Sequence, residues 1–494
     1  MPGLTSSLFV GLSGLQAQQS ALNVVGHNIA NVNTPGYSRE TANLTSNQSL
    51  VQGQAYFGTG VSLSDVTSIR AKFLDLQIAQ ETAAQTGAND RSSGVSAVAS
   101  TLGDTSSTGL AAEIQSFFQG FQDLAANPQS SAVRTSVVSG AQNMINSLQT
   151  NYQLLTQQRG NANQAVGSLV NQVNTLTAQI AQLNQQINSV GSQGANNGAI
   201  DQRTSLTNQL SKLVGINVIE GTHGEYQITL DSGAATLVSG TSSFNLQTAP
   251  GGPPDNFSTV QSVMNGTTVD VTGSIKNGQL GAQLDLRDNI YVGFQRQLDQ
   301  IAAGVAGQVN LLNRAGYAAD GVTTGVDFFQ VTGAPNSAVT GLPPGISEFN
   351  NYQGMVNSLT VNAAVVGDPS LIAAAKAPGS SGDNTNANLI ANLQFATKTV
   401  DTNSDGYGDP GTYNDAIANL VSDVGNKSQT YQAQNTTQQN LVSALQTQRD
   451  QISGVSLDEE AANMMRLQSG YQASARFINV INQLTQGLIT QFGA

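Results

Sequence analysis

The feature that most constrains this chain is an uninterrupted heptad repeat of apolar residues between positions 166 and 190. The apolar side chains alternate at spacings of three and four residues, which is the a/d pattern of a helix packed against another helix. Each such side chain stabilises the fold by about 1.5 to 3 kcal/mol when buried, before the entropy of ordering is subtracted. A helix with this pattern must be packed, either in a bundle or against a neighbouring chain. The residues are Val166, Leu169, Val173, Leu176, Ile180, Leu183, Ile187 and Val190.

Both ends of the chain carry a narrower apolar seam. One helix cannot bury such a seam alone, and the simplest partner of each seam is the other. We therefore predict that residues 1–38 pair with residues 457–494 as a coiled coil. In the N-terminal seam, Leu8, Leu15, Leu22 and Ile29 are seven residues apart, with Leu4, Leu12 and Val25 beside them. The C-terminal seam consists of Met464, Leu467, Tyr471, Ile478, Ile481, Leu484 and Leu488.

The N-terminal helix is predicted to end abruptly in a turn. Thr34 precedes a proline, which disfavours the helical conformation, and Pro35 and Gly36 suit the two central positions of a type II turn. The helix should therefore end near residues 31 to 33. On local chemistry alone, this is a helix terminus followed by a turn. The residues of this signature turn are Asn31, Asn33, Thr34, Pro35, Gly36 and Tyr37.

The C-terminal helix begins with a capping pattern. Glu459 follows Ser456 at the spacing of a capping box, and three carboxylates occupy the first turn, where the helix dipole favours them. We interpret this acidic triplet as a helix start rather than as a catalytic or metal site. The residues of the helix start are Ser456, Leu457, Asp458, Glu459 and Glu460.

Between the two ends, helical and strand-like segments alternate. The helical period holds over most of 39–215, 281–315 and 384–456, although residues 39–70 are partly extended. Short Val, Ile and Thr runs between Gly, Pro, Asn and Asp indicate β-rich insertions at 216–280 and 316–383. We therefore predict an elongated, multidomain α+β fold. Its terminal helices would pair as a coiled coil, its middle domain would be a helical bundle, and the β-rich insertions would form outer modules.

The composition excludes several functional classes. Charged residues make up 10% of the chain, the net charge is −13, and 18 residues are Lys or Arg. An ordinary domain is about 25% charged. Binding to nucleic acid or to an anionic membrane needs clustered cations, so neither is expected. The chain has no cysteine, which removes disulfides, thiolate metal sites and Cys nucleophiles.

The sequence shows no membrane span and no Sec-type signal peptide. No Lys or Arg precedes the first apolar residues, and the run Leu8-Phe9-Val10 is too short for a signal-peptide core. We therefore expect the chain to be cytoplasmic, or to be exported by a route that does not use a cleaved signal.

Short motifs that suggest chemistry are better explained as loops and caps. Residues 401–406 match the start of a calcium-binding EF loop, but Thr412 stands where the bidentate Glu belongs. Residues 406–411 fit a dinucleotide glycine pattern, yet no apolar strand precedes them. The histidines, His27 and His223, are far apart and have no obvious catalytic partner. We therefore expect no enzyme activity, no cofactor and no metal.

The two ends together resemble a known family. The stretch from Leu12-Ser13-Gly14-Leu15 to Thr34-Pro35-Gly36-Tyr37 is similar to the N-terminal signature of flagellar rod, hook and hook-associated proteins. The C-terminal stretch 453–476 and the segment 284–330 resemble the hook-associated members of that family. The two β-rich insertions are not covered by the resemblance.

The resemblance implies a structural, non-enzymatic protein of the bacterial flagellum that forms the junction between hook and filament. It implies export through the flagellar type III channel without a cleaved signal, an extracellular location, and terminal segments that pair on assembly into a helical array. The implied partners are further copies of the chain, the hook protein, a second hook-associated protein of the junction, and an export chaperone that binds the C-terminal helix. The alternatives are a hook or distal rod protein, a secreted helical adhesin or translocator and, more remotely, an enzyme carried on the outer β modules.

Overall fold

Long helices dominate the computed structural model, which describes residues 2–34, 36–52, 55–102, 109–190, 196–252, 255–264, 266–331, 354–397 and 411–492. The helices are α1 (Pro2–Ala30), α2 (Lys72–Leu102), α3 (Leu110–Ala126), α4 (Ser131–Val190), α5 (Asn197–Leu213), α6 (Gly278–Asp285), α7 (Tyr291–Ala315), α8 (Met355–Ser358), α9 (Ala363–Gly367), α10 (Thr385–Asn392), α11 (Tyr413–Ser453) and α12 (Leu457–Phe492). The strands are β1 (Glu40–Ser46), β2 (Leu50–Gln52), β3 (Ala55–Phe57), β4 (Val61–Ser68), β5 (Ile216–Glu220), β6 (Tyr226–Leu230), β7 (Thr236–Ser239), β8 (Ser242–Ser243), β9 (Leu246–Ala249), β10 (Thr259–Met264), β11 (Thr267–Asp270), β12 (Phe329–Val331) and β13 (Leu359–Val361). The protein is therefore mainly helical with small antiparallel sheets, an α+β fold as predicted.

The central heptad lies on a single helix, α4, which is 60 residues long. Most of the heptad is buried, so the prediction of a packed helix is confirmed. Leu176 and Ile187 are half-buried, and the side chain of Val190 lies outside the described set. The buried members are Val166, Leu169, Val173, Ile180 and Leu183.

The chain forms two compact units. Unit 1 comprises Met1–Gly87, Gly167–Gly281 and Thr436–Ala494, and unit 2 comprises Ala88–Val166 and Ala282–Asn435. Both terminal helices and the β-rich insertion 216–280 thus belong to unit 1. The predicted division into a terminal domain, a middle domain and outer modules stays a prediction.

Unit 1 contains several small antiparallel sheets. Strands β5 to β8 form a four-stranded sheet in chain order, and β9, β10 and β11 form a three-stranded sheet with β10 in the middle. Both lie within 216–280, where the sequence predicts β structure. In the extended connector, β1 pairs with β4 and β2 pairs with β3.

Two asparagines of α4, the buried Asn184 and the half-buried Asn174, bind the sheet backbone of unit 1. Asn184 Nδ2 donates to the Tyr226 carbonyl at 2.9 Å and to the Gly240 carbonyl at 2.7 Å, while its Oδ1 accepts from the Tyr226 N–H. Asn174 pairs in the same way with both backbone groups of Leu246. A side-chain amide carries both donors and an acceptor, so it can satisfy the backbone hydrogen-bonding groups of a strand as a neighbouring strand would. The neutral amides that dominate this chain therefore also serve in its interior.

The core of unit 2 is built around phenylalanine side chains. Phe117 of α3 is fully buried, and its ring lies 5.2 to 5.9 Å, between centroids, from the rings of four neighbours. Aromatic pairs at such distances add to the stabilisation that burial alone provides. The neighbours are Phe118, Phe121, Phe328 and Phe329.

The second predicted β-rich insertion, 316–383, contains little strand in its described part. Only the short strands β12 and β13 pair there, and residues 332–353 lie outside the described ranges. Side chains of α7 take the place of neighbouring strands. Asn310 binds the N–H groups of Phe328 and Phe329, and Asn313 binds the Val326 carbonyl and the Ala373 N–H. Amide side chains therefore satisfy backbone groups in the described part of 316–383, and the β-rich character of the whole insertion stays a prediction.

A buried carboxylate makes the stability of unit 2 depend on pH. Asp299 of α7 is 7% exposed and accepts hydrogen bonds from the N–H groups of Gly354 at 2.8 Å and Val356 at 3.0 Å. Burial raises the pKa of Asp299 from 3.8 to about 6, although the two N–H groups act to lower it. The folded state therefore binds this proton more tightly than the unfolded chain does.

We predict that unit 2 loses stability as the pH rises from the unfolded-state pKa of 3.8 to the folded-state pKa of about 6. A difference of about two pKa units corresponds to about 3 kcal/mol, which is fully present below the lower pKa and lost above the higher one. Asp299→Asn removes the titrating group, so the stability of unit 2 should depend less on pH over this range. Thermal unfolding at a series of pH values measures the effect, and identical profiles for the two proteins would contradict it.

Candidate assembly site

The two terminal helices lie side by side and antiparallel within unit 1. A Cβ atom added to Gly11 of α1 would lie 2.9 Å from Ile478 of α12, and one added to Gly470 of α12 would lie 3.0 Å from Gln18 of α1. Residue numbers thus rise along one helix as they fall along the other. Glycine permits this approach because it has no Cβ. The two ends of the chain therefore meet, while the coiled-coil geometry of the pair stays a prediction.

The buried face of α1 differs from the predicted leucine seam. Its buried residues are mostly small: Gly11, Ala17, Ala21, Val24, Val25 and Asn28. Among the predicted seam residues, Val25 and Ile481 are buried, whereas Leu12 and Leu484 are exposed. The others are half-buried: Leu8, Leu15, Leu22, Ile29, Met464, Leu467, Tyr471, Ile478 and Leu488.

Large apolar side chains remain exposed on both terminal helices. Phe9 of α1 and Met465, Val480 and Ile489 of α12 are each more than half exposed. Scattered exposed apolar residues are ordinary, but a set concentrated on two paired helices is typical of an interaction surface. The terminal pair therefore has one buried face and a second, unburied apolar surface.

Glycine at position 11 should be required for the pairing of α1 with α12. In Gly11→Ala the added Cβ would lie 2.9 Å from side-chain atoms of both Phe477 and Ile478, so these side chains or α12 must shift, and α1 should lose protection from hydrogen exchange. Gly26→Ala is the matched control in the same helix, because nothing lies within 4 Å of its added Cβ. There the gain in helix propensity, up to about 1 kcal/mol, should preserve or increase protection. Equal protection in the two variants would rule out the close contact.

The signature turn follows directly after α1, which ends at Ala30, just before the predicted range of 31 to 33. Thr34 Oγ1 donates to Asn31 Oδ1 at 3.1 Å, and the Tyr37 N–H donates to the Thr34 carbonyl at 3.1 Å. Gly36 has a φ of +83°, a left-handed conformation that glycine adopts without strain. Asn33 and Thr34 are exposed, and Pro35 lies outside the described residues.

Asn28 fixes the first strand to the end of α1. Its Nδ2 donates to the Glu40 carbonyl at 2.9 Å, and its Oδ1 accepts from the Glu40 N–H at 2.9 Å and from the Tyr37 hydroxyl at 2.7 Å. His27, which is exposed, has its Nδ1 3.1 Å from the Glu40 carboxylate. Burial, and then the carboxylates of Glu40 and Asp201, raise the pKa of Tyr37 above its ordinary value. The Tyr37 hydroxyl therefore stays protonated as a donor near neutral pH.

The segment that joins α11 to α12 is hydrogen-bonded to residues that follow the signature turn. Ser453 is buried; its carbonyl accepts from the Arg39 N–H at 2.8 Å, and its hydroxyl accepts from the Ala71 N–H at 3.0 Å. Arg39 also forms an ion pair with Glu459. The Glu459 N–H lies 3.4 Å from the Ser456 hydroxyl, as the capping pattern predicts. At this helix start Ser456, Leu457, Asp458 and Glu459 are exposed, and Glu460 is buried.

Two mostly buried ion pairs complete this region, which we call the elbow and define as residues 28–40, 68–75, 197–201 and 449–460. Arg70 Nη1 lies 2.6 Å from Asp201 Oδ1, and Arg449 Nε lies 3.3 Å from Asp75 Oδ1. Burial raises the pKa of both carboxyl groups, while the neighbouring guanidinium of each pair acts to lower it. Because pairing offsets much of the cost of burying these charges, removing one partner would be more costly than losing an exposed pair.

The chemistry of the elbow is that of a structural joint. Its polar side chains bind backbone groups and one another, and they hold four segments of unit 1 together. Within the described ranges, no three or more His, Cys, Asp or Glu side chains are placed to hold a metal ion. The calcium-like and dinucleotide-like motifs fall at 401–411, of which only residue 411 is described. None of the described helices is long and apolar enough to cross a membrane.

Family models match both terminal segments of unit 1. A model described as flagella basal body rod protein matches residues 8–37, and one described as flagellar basal body rod FlgEFG protein C-terminal matches residues 446–491. The first range covers most of α1 and the signature turn, and the second covers the break before α12 and nearly all of that helix. Paired terminal helices with these signatures define the class of flagellar axial proteins.

The remaining comparisons select the member of that class. Residues 95–329 match the model described as flagellar hook-associated protein FlgK helical domain. The chain is 30% identical to flagellar hook-associated protein 1 of Salmonella typhimurium, over 98% of this chain and 100% of that protein. It is 25% identical to the Bacillus subtilis protein of the same name, over 99% of each. The chain belongs to the flagellar hook-associated protein 1, or FlgK, family, whose members are structural proteins of the flagellum.

A solved structure shows the same fold. The flagellar hook junction protein FlgK from Burkholderia pseudomallei aligns with a TM-score of 0.64 at 19% identity, covering 76% of this chain and 100% of that one. The resemblance to flagellar hook-associated proteins that the two ends imply is therefore confirmed. The elbow contacts of Asn28, Asp201 and Ser453 were not found from the sequence, because no local pattern marks them.

Proposed function

We propose that the chain is a non-enzymatic building block of the junction between hook and filament. The observation that carries this proposal is the antiparallel packing of α1 on α12, joined to the elbow, in a chain of the FlgK family. The Burkholderia relative is itself described as a flagellar hook junction protein. Family membership favours this role over that of a hook protein, a distal rod protein or a secreted adhesin.

In this proposal the terminal helices form the inner layer of a helical array. Residues 1–38 and 457–494 pair as a coiled coil, and the exposed side chains of Phe9, Met465 and Val480 are buried by neighbouring copies. A heterologous contact repeated by rotation and translation gives an open helical assembly rather than a closed ring. The elbow sets the direction in which the inner helices leave the rest of unit 1, because both helix ends are hydrogen-bonded to it.

The proposed partners are the hook protein on one side and a second hook-associated protein on the other. Before assembly, an export chaperone would bind α12, whose apolar side chains, such as Leu484 and Ile489, are exposed in the single chain. Export would use the flagellar type III channel without a cleaved signal, and the protein would act outside the cell.

Deletion of the gene in a motile strain tests the proposal. The expected result is hooks without filaments, together with flagellin in the medium, because the protein that joins hook to filament is missing. Expression of the intact chain should restore filaments. Electron microscopy with a label on the chain should place it at the end of the hook. Normal filaments on the deleted strain, or label along the rod, would contradict the proposal.

A further inference from the structure

A β arm, which we define as residues 41–52 and 55–64, exposes apolar side chains that the inner helical layer does not explain. Tyr56 and Phe57 of β3 are 77% and 52% exposed. Leu44 of β1 pairs with Leu63 of β4, and both side chains are exposed. Residues 43–46 and 62–65 are all exposed, and successive side chains of a strand point to opposite faces. Both faces of this part of the arm therefore meet solvent.

The arm consists of two-stranded ribbons, which are marginally stable in water by themselves. Strands β1 and β4 form one two-stranded sheet, and β2 and β3 form another. A ribbon of this kind needs a third strand or a packed face for independent stability. Strands β1 and β4 of the arm pack against α1, and the Val61 N–H donates to Ser13 Oγ at 3.2 Å. The surface of the arm is therefore continuous with that of the terminal helices.

The charge pattern indicates which partner covers the arm. Residues 41–64 contain no Asp, Glu, Lys or Arg, although charged residues make up 10% of the chain. The same is true of 1–38 and of 477–494, which belong to the terminal helices and the signature turn. Copies of a chain with a net charge of −13 repel one another, and a contact between copies is favoured where the surface carries no charge.

We propose that the β arm binds a second copy of this chain, with Tyr56 and Phe57 as the apolar anchors of the contact. The arm shares its lack of charge with α1 and with residues 477–492 of α12, and exposed aromatic side chains are the residues that dominate protein interfaces. The inference rests on the proposed self-association and adds a second contact, made by the β arm outside the helical layer.

Photocrosslinking of the full chain in flagella tests this contact. Tyr56→p-benzoylphenylalanine places the probe on the arm, and Phe395→p-benzoylphenylalanine is the matched control, an aromatic position in unit 2 that is 68% exposed. After irradiation of isolated flagella, position 56 should give a crosslinked dimer of the chain, and position 395 should give little. Mass spectrometry identifies the partner in each product.

The possible outcomes separate this inference from the proposed function. If the chain is present in flagella but position 56 yields only monomer, or a crosslink to another protein, the inference is overturned and the junction role stands. Equal dimer yields from both positions also overturn it, because they report crowding rather than a specific surface. Absence of the unmodified chain from flagella refutes the junction role, and the inference falls with it.

A substitution gives a second readout. The double variant Tyr56→Ser with Phe57→Ser should reduce recovery of the chain with flagella about tenfold, the scale expected for losing aromatic anchors. Its circular dichroism should match that of the intact chain, because both side chains are exposed. Phe395→Ser should leave recovery unchanged. Normal recovery of the folded double variant would contradict a role for the arm.

Discussion

Removal of residues 457–494 is expected to abolish incorporation of the chain into flagella while leaving unit 2 folded. The removed segment contains α12, and none of its residues belongs to the buried core cluster of unit 2. Its loss uncovers the small-residue face of α1, so α1 should unfold, since most helical stability in proteins comes from packing. The proposed array thereby loses both inner helices. Thermal unfolding of the purified fragment and its recovery with flagella measure the two effects.

The full chain carrying Leu389→Ser, at an exposed position of α10 in unit 2, is the control for this truncation. It should keep both the unfolding transition of unit 2 and incorporation. Circular dichroism measures how much helix the truncation removes. The loss should not exceed the 36 residues of α12 plus the 29 residues of α1. A larger loss would mean that the terminal helices are part of the main core.

Phe117→Ala is expected to lower the free energy of unfolding of unit 2 by about 3 to 5 kcal/mol. The Phe117 ring is fully buried among four other phenylalanine rings, so truncation leaves a cavity and removes aromatic pairs. For a unit of this size the melting temperature should fall by about 10 °C. Differential scanning calorimetry of the full chain measures the transition of unit 2.

The same truncation at an exposed ring provides the comparison. Phe395→Ala, in unit 2, removes an exposed side chain and should change the stability by no more than about 0.5 kcal/mol. If the two variants unfolded alike, the aromatic cluster would not be the centre of this core. Urea unfolding of both proteins gives an independent measure of the difference.

Asparagine has a recurring role in both units. Asn28, Asn174 and Asn310 each use the donor and the acceptor of one amide to bind the N–H and the carbonyl of a single residue in another segment. Such a pair imitates the hydrogen bonds between strands without requiring a sheet. This explains how a chain with few charges can connect long helices to loops and short strands, and why a polar composition did not reveal where those connections lie.

The elbow contains contacts that local sequence chemistry does not predict. The signature turn and the capping residues are predictable because their chemistry acts over three or four positions. The bonds from Ser453 to Arg39 and Ala71, and the pair between Arg70 and Asp201, join residues more than a hundred positions apart. Ordinary serines and arginines make these bonds, so nothing in the local sequence distinguishes them from surface residues.

The sequence by itself determined which long segments are helical, that α1 ends close to the signature turn, how α12 begins, and that both ends need a partner. These features depend on periodicity and turn chemistry between residues a few positions apart. Only the tertiary structure decided that small residues (glycine, alanine and valine) and Asn28, rather than leucine, form the buried face of α1. It also decided that amide side chains of α7 bind the backbone of residues 326–329 and of Ala373. The reason is physical: which face of a helix is buried, and which backbone groups are satisfied, depends on elements that are distant in the sequence.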